Sequence, residues 1–310
     1  MPEISPGGRK AMRIGIDFGG TNVKFGLFDE AGNTRKFAVE KVADLAAAAP
    51  LPEALLDAAA RFVAGEVLTR GGLGMKGMVD VQAGGVINDV GAADVFAGID
   101  LRGRFAARLG VPFAFDNDAR AYAFGEWKFG AGRGLSSIIA MTLGTGVGCA
   151  AVIDGRLFRS SNPASGLLGG HMSIDRRGPE CPCGLKGCLE LYCSAVNFEK
   201  HLLAAFPELT AEAIPLKTFF DQAEARPDWA DVKAEFIDNL AIGVINVMHA
   251  YGVNTVVLGG GLMKSHAKII PGLLEIVKRR AWMVPRGHVR ILPAMLEDRA
   301  ACLGAAFLDQ

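Results

Sequence analysis

A short pattern of strand, glycine turn and strand occurs twice in this chain. Met12 to Phe28 reads as two runs of apolar and β-branched residues around Gly19-Gly20-Thr21, and Ser137 to Asp154 reads the same way around Gly144-Thr145-Gly146. Laid over each other at one constant offset, the segments match Gly19 with Gly144 and Asp29 with Asp154. A repeated supersecondary unit implies a duplicated domain, each copy built on its own hairpin. With 310 residues, half of them hydrophobic, the chain is long enough to bury two cores.

Further elements alternate along the chain. Leu51 to Leu68 has helical apolar spacing, and Gly110 to Phe115 is a short strand that enters Asp116-Asn117-Asp118, with a helix starting near Ala119. Val232 to Ala250 reads as an amphipathic helix, Thr255 to Leu258 as an apolar strand before Gly259-Gly260-Gly261, and the stretch through Lys268 to Arg279 as another helix. Phe206 to Trp229, with Pro207, Pro215 and Pro227, reads as an irregular connector. This alternation predicts an α/β architecture with buried sheets, divided near residues 116 to 125, and a ligand cleft between the halves.

Charge and termini narrow the partners. Lysine plus arginine equals aspartate plus glutamate at 33 each, so no net field draws a nucleic acid or an anionic membrane, and small molecules are the expected partners. The longest apolar stretch, Ile138 to Ile153, is broken by glycines and too short to span a bilayer. Met1 to Lys10 lacks the positive head and apolar centre of a secretion signal, so the expected location is cytoplasmic.

Three glycine turns follow apolar strands: Gly19-Gly20-Thr21, Gly144-Thr145-Gly146 and Gly259-Gly260-Gly261. Where side chains are absent, backbone amides can approach a phosphate closely, and Thr21 and Thr145 add hydroxyls. Ordinary tight turns would look the same. None has the Gly-Lys-Ser/Thr of a Walker loop or the Gly-x-Gly-x-x-Gly of a dinucleotide fold. Asp17, at a strand end, could hold magnesium through water or simply cap a turn, and Lys24 could reach a phosphate or face solvent. Asp118 has two readings, helix cap or general base for phosphoryl transfer to a hydroxyl. His171, Cys181, Cys183 and Cys188 offer one imidazole and three thiolates, a set suited to tetrahedral zinc. Four protein ligands leave no open position, so that zinc is structural. Cys149 and Cys302 read as buried core residues.

In order and spacing these motifs resemble the ROK family of sugar kinases and sugar-responsive repressors, a branch of the actin-like ATPase (ribonuclease H-like) fold. The resemblance rests on Asp17-Phe-Gly-Gly-Thr21, Asn117-Asp118-Ala119, Leu143-Gly-Thr-Gly-Val-Gly148, the Gly170-His171 motif through Cys-Leu-Glu190, and Val257-Leu-Gly-Gly-Gly261. It implies two similar α/β domains, residues 1–118 and 119–296, with a zinc knuckle in the second and a final helix at about 297–310 packed back on the first. It implies a kinase that uses ATP and magnesium and phosphorylates a hexose or hexose derivative, and a homodimer as its assembly. By position, the first two turns would hold the phosphates and the third would lie beside adenosine. Asp118 would be the base, with Asn117, His171 and Glu190 on sugar hydroxyls.

Two departures bear on substrate. Family kinases usually carry a sugar-binding glutamate three positions before the zinc histidine, where this chain has Leu168, and an asparagine in the stretch that reads Gly91-Ala92-Ala93-Asp94 ahead of Phe96. An unpaired hydroxyl in a closed site costs roughly 1–3 kcal/mol, so glucose does not follow from the resemblance. The same departures suggest the alternative of a sugar-binding sensor that has lost catalysis. A repressor of the family would need a DNA-reading module ahead of the first strand near Met12, and zero net charge also speaks against it.

Overall fold

The computed structural model describes residues 11–87, 94–207 and 216–308. In chain order the elements are β1 (Met12–Phe18), β2 (Asn22–Phe28), β3 (Thr34–Lys41), α1 (Val42–Ala48), α2 (Leu51–Phe62), β4 (Leu68–Met75), β5 (Val79–Asp80), β6 (Gly85–Val86), α3 (Leu101–Leu109), β7 (Phe113–Asn117) and α4 (Asp118–Phe129). They continue with β8 (Ile138–Leu143), β9 (Val147–Ile153), β10 (Arg156–Leu157), α5 (Glu190–Cys193), α6 (Ala195–Ala205), α7 (Leu216–Gln222), α8 (Pro227–Tyr251), β11 (Thr255–Gly259), α9 (His266–Arg280), β12 (Arg290–Pro293) and α10 (Ala300–Ala306). Two compact units result: residues 1–133 with 159–164 and 298–310, and residues 134–158 with 165–297.

The first unit carries a five-stranded sheet in the order β3-β2-β1-β4-β7. The three leading strands pair antiparallel, and β1, β4 and β7 run parallel. Residues 14–18 of β1 are all buried, as expected of a central strand covered on both faces. One face packs on α2 and α3 through Ile14, Ile16, Phe25, Leu55, Phe62 and Phe105. Onto the other comes α10, so close that a side chain on Gly15 or Gly72 would collide with the carbonyls of Cys302 or Ala305. Helices α4 and α10 also touch through reciprocal glycines, Gly125 against the Ala300 carbonyl and Gly304 against that of Ala121. This contact corrects the expected boundary at residue 118: α4 belongs to the first unit, which runs on to Arg133.

The second unit repeats the first. Its sheet has the order β10-β9-β8-β11-β12, antiparallel across β8, β9 and β10 and parallel across β8, β11 and β12. The duplication read from the two hairpins therefore extends to five matched strands, β1 with β8 through β7 with β12. Helix α8 starts at Pro227, whose missing N–H costs nothing in the first turn, and stops at left-handed Gly252. The stretch expected to be an irregular connector is instead partly helical. Phe219 and Phe220 of α7 are fully buried against Phe198 and Phe236, with Trp229 beside them. Pro227 starts a helix there rather than breaking one, while Pro215 lies outside the described residues.

Candidate functional site

In the first unit the candidate residues gather where parallel strands end. Register pairs Phe18 of β1 with Met75 of β4, and Met75 with Asn117 of β7. One residue further, Gly19, Lys76 and Asp118 follow side by side, and the Lys76 amide donates to the Phe18 carbonyl at 3.1 Å. Ligands of open α/β sheets bind beyond the carboxyl ends of such strands.

Asp17 is buried at this edge. Burial raises its carboxyl above the usual range, opposed by Lys24, whose ammonium lies 3.4 Å from Asp17 and 3.2 Å from Asp298. Lys24, a candidate for phosphate, is thus engaged by two carboxylates. Asn117 caps α4: its Oδ1 accepts from the amides of Ala119 (2.8 Å) and Arg120 (3.3 Å), and its Nδ2 donates to the Gly77 carbonyl at 3.0 Å.

Because Asn117 is the cap, Asp118 is the first helical residue, and its carboxylate accepts from the Ala119 amide at 2.9 Å. Asp118 is half-buried. Desolvation first, and then the charge of Asp17, push its carboxyl up to about 6, against the pull of the Ala119 amide and the Lys76 ammonium. A group so poised is largely ionised at neutral pH yet basic enough to take a proton.

Asp116, just before this pair, is fully buried between Arg120, at 3.2 Å, and Arg159. Sequence reasoning missed it, although the i,i+4 spacing of Asp116 and Arg120 on entry to a helix was a usable signal. Lys76 was missed too. No local pattern marks it, since only strand register brings it to Asp118.

In the second unit the turn Gly144-Thr145-Gly146 closes with the Gly144 amide on the Gly146 carbonyl at 3.0 Å. Glu190 lies over it: its Oε2 accepts from the Val147 amide at 2.8 Å, and a Cβ on Gly146 would come within 2.5 Å of that oxygen. The Ala195 amide donates to the Gly144 carbonyl at 2.7 Å. Gly260 of the third turn needs its left-handed φ of 90°. Gly144 and Gly261 have no such φ and no atom within 4 Å of a would-be Cβ. Nothing within the fold demands glycine at either, so the open space beside them is free for a ligand. Thr21 and Thr145 are exposed.

The four metal-ligand candidates meet. One donor atom from each of His171, Cys181, Cys183 and Cys188 lies within 4.8 Å of the others. His171 Nδ1 is 3.5 Å from Cys181 Sγ, and Cys183 Sγ is 3.5 Å from Cys188 Sγ. Tetrahedral zinc with Zn–S bonds of about 2.3 Å spaces its sulfurs by roughly 3.8 Å, so the set fits. The Cys181 amide closes the knuckle on the Leu185 carbonyl at 2.8 Å, with left-handed Gly184 and Gly187 turning the chain. Cys149, Cys193 and Cys302 are buried.

The family profile described as "ROK family" matches residues 13–310. The chain belongs to the ROK family. An N-acetyl-D-glucosamine kinase of Photobacterium profundum is 31% identical over 96% of this chain and 99% of its own length. A xylose repressor of Bacillus subtilis is 31% identical over 66% of this chain and 52% of its own length. A ROK family glucokinase from Streptomyces griseus, solved in complex with glucose and AMPPNP, superposes with a TM-score of 0.77 at 27% identity, covering 95% of this chain and 98% of that one. This ROK protein therefore has the actin-like ATPase fold that its motifs implied. Among its described residues, no helix is long and apolar enough to cross a membrane.

Proposed function

We propose that this ROK protein is an ATP-dependent sugar kinase in which Asp118 is the general base. The observation that carries the reading is the placement of a half-buried carboxylate, pushed up to about 6, beside a glycine turn at the ends of parallel strands. The relationship to sugar kinases supplies the substrate class. Asp118 takes the proton of a sugar hydroxyl while that oxygen bonds to the γ-phosphorus of ATP. The bond from phosphorus to the bridging oxygen breaks, and ADP leaves. Products are sugar phosphate, ADP and one proton.

The turns at Gly19–Thr21 and Gly144–Gly146 are assigned to the phosphates and Gly259–Gly261 to the adenosine side. Asp17, a buried carboxyl whose neighbour Lys24 is shared with Asp298, would hold a magnesium ion that arrives with ATP and would supply charge neutralisation. His171, Cys181, Cys183 and Cys188 would hold a structural zinc, which would order the loop that leads into Glu190. With His171 Nδ1 facing the thiolates, Nε2 remains for a sugar hydroxyl, and Glu190 is assigned to another. Asn117 positions Asp118 through the cap and is assigned to the sugar as well. A cytoplasmic homodimer is the assembly we expect.

A second reading has one specific observation in its favour. Leu168, 44% exposed, stands where ROK kinases usually present a glutamate to the sugar; Ala92, the other departure, lies outside the described residues. A sensor that binds sugar without phosphorylating it would tolerate that loss. Magnesium-ATP-dependent ADP release across hexoses, amino sugars, N-acetylated sugars and polyols, with Asp118→Asn beside the native chain, separates the two. Sugar-dependent turnover lost in Asp118→Asn is the expected result; sugar binding without any turnover would replace the kinase with the sensor.

A further inference from the structure

Of the three residues that follow the ends of β1, β4 and β7 side by side, the middle one has no part in the reaction as described so far. We propose that Lys76 binds the phosphoryl group in transit, its ammonium holding the terminal phosphate oxygens of ATP between the Gly19–Thr21 turn and the Asp118 carboxylate. The proposal rests on reading that turn as a phosphate cradle and Asp118 as the base.

Strand register supplies the first argument. A phosphoryl group that leaves a nucleotide held at the β1 turn for a hydroxyl held at the β7 end must cross the end of β4. Lys76 is the residue there: it follows Met75, which pairs with Phe18 on one side and Asn117 on the other. Gly74, two residues earlier, packs so closely that a Cβ on it would lie 3.3 Å from the Asp118 Cα.

The side chain of Lys76 also lies at the turn itself. A Cβ on Gly20 would sit 3.1 Å from Lys76 Nζ, so the ammonium rests over the glycine turn, in space that a larger residue would take. Among the described residues this ammonium makes no hydrogen bond or ion pair. Lys24, the other lysine at this edge, is held by Asp17 and Asp298. A triphosphate approaching two carboxylates needs a cation, and a lysine serves as a mobile point charge for phosphate oxygens.

The duplicated architecture supplies the third. The overlay that matches Gly19 with Gly144 matches Asp17 with Thr142. Register then pairs Asp17 with Gly74 and Thr142 with Gly259, so Lys76 occupies in the first unit the place of Gly261 in the second. That place is bare in the second unit, where a Cβ would meet nothing within 4 Å, and charged in the first. An exposed lysine is ordinarily just solvated. Its position over a glycine turn, on the strand between the one assigned to the donor and the one assigned to the acceptor, is what sets Lys76 apart.

The test is calorimetric titration of the magnesium complexes of ADP and of a non-hydrolysable ATP analogue into the native chain, Lys76→Met and Lys76→Arg, with turnover measured in parallel. Lys76 is exposed, so melting temperatures should agree across the three proteins. Lys76→Met should weaken the triphosphate analogue about tenfold while ADP changes much less, should lower kcat by about 100-fold, and should be largely rescued by arginine. Equal weakening of both nucleotides, or none, overturns the proposal. If the native chain discriminates the nucleotides through Lys76 but phosphorylates no sugar, the kinase reading falls and the phosphate contact stands. If turnover and analogue affinity survive in Lys76→Met, the phosphate contact falls alone. A native chain that binds neither nucleotide removes both.

Discussion

Glu190 accepts a hydrogen bond from the amide of Val147 at 2.8 Å, which ties the residue two positions after the last zinc-ligand candidate to the second glycine turn. The same carboxylate that is assigned to a sugar hydroxyl therefore also braces the glycine turn that is assigned to phosphate. Glu190→Ala should raise KM for ATP and for sugar together, lowering kcat/KM by about 10- to 100-fold if a charge-assisted bond is lost. Glu190→Gln, which keeps an acceptor oxygen, should fall between. Steady-state kinetics with each substrate varied decides this; a change confined to the sugar KM would remove the turn-holding role.

Asp118 gives activity and stability opposite dependences on pH. Its carboxyl is pushed up to about 6, so kcat/KM should fall as pH drops through 6 and the base is protonated. For stability the sign is reversed. The folded chain binds this proton more tightly than the unfolded one, so the ionised group destabilises increasingly as pH rises from about 4 to 6 and fully above that. Asp118→Asn never ionises. Allowing for solvent screening of a half-buried group, it should be more stable at pH 7.5 by on the order of 1–2 kcal/mol, a melting temperature higher by about 2–5 °C, with no difference at pH 4. Thermal melts at the two pH values test this, and a variant less stable than the native chain at pH 7.5 would contradict it.

Cys183 is the exposed member of the metal cluster, so its loss removes a ligand with little effect on packing. Metal analysis of the native chain should find about one zinc per molecule, and Cys183→Ser should lose it together with sugar affinity. Cys193→Ser, a change in the buried core five residues beyond Cys188, should lower stability yet keep the metal. Zinc retained in Cys183→Ser would exclude the four-ligand site.

Gly125 and Gly304 let α4 and α10 approach until each glycine faces a carbonyl of the other helix. Gly125→Ala gains helix propensity but forces the helices apart, and the overpacking should win, destabilising by about 1–3 kcal/mol. The separation would be felt at Asp118, at the start of α4. Urea unfolding and kcat measured on the same variant should both decline; unchanged stability would show that the helices can slide without loss.

What could be read ahead of the structure follows how local each signal was. The hairpins stood out because β-branched runs and glycine turns lie within about seventeen residues, and the metal cluster because its four residues span eighteen positions, from His171 to Cys188. The end of the first unit was misplaced because α4 is held by α10, a contact between residues about 180 apart in the chain. The connector was misread because Phe219 and Phe220 look isolated among prolines until Phe198 and Phe236 close over them. Lys76 and the Asp116–Arg159 pair come together only through sheet register and a segment that returns from β10, and no periodicity records either. Between helix cap and general base, Asp118 was open on sequence alone; Asn117 takes the cap and leaves the carboxylate available.

The seat of α10 on the bare backbone of Gly15 and Gly72 has a consequence for the order in which the molecule can be made. A ribosome delivers β1, β2, β4 and β7 early, but the helix that covers them is translated only after the whole second sheet. The second unit can therefore complete its core first. The first can complete its core only when residue 306 has left the exit tunnel, although its strands are the earliest to be made.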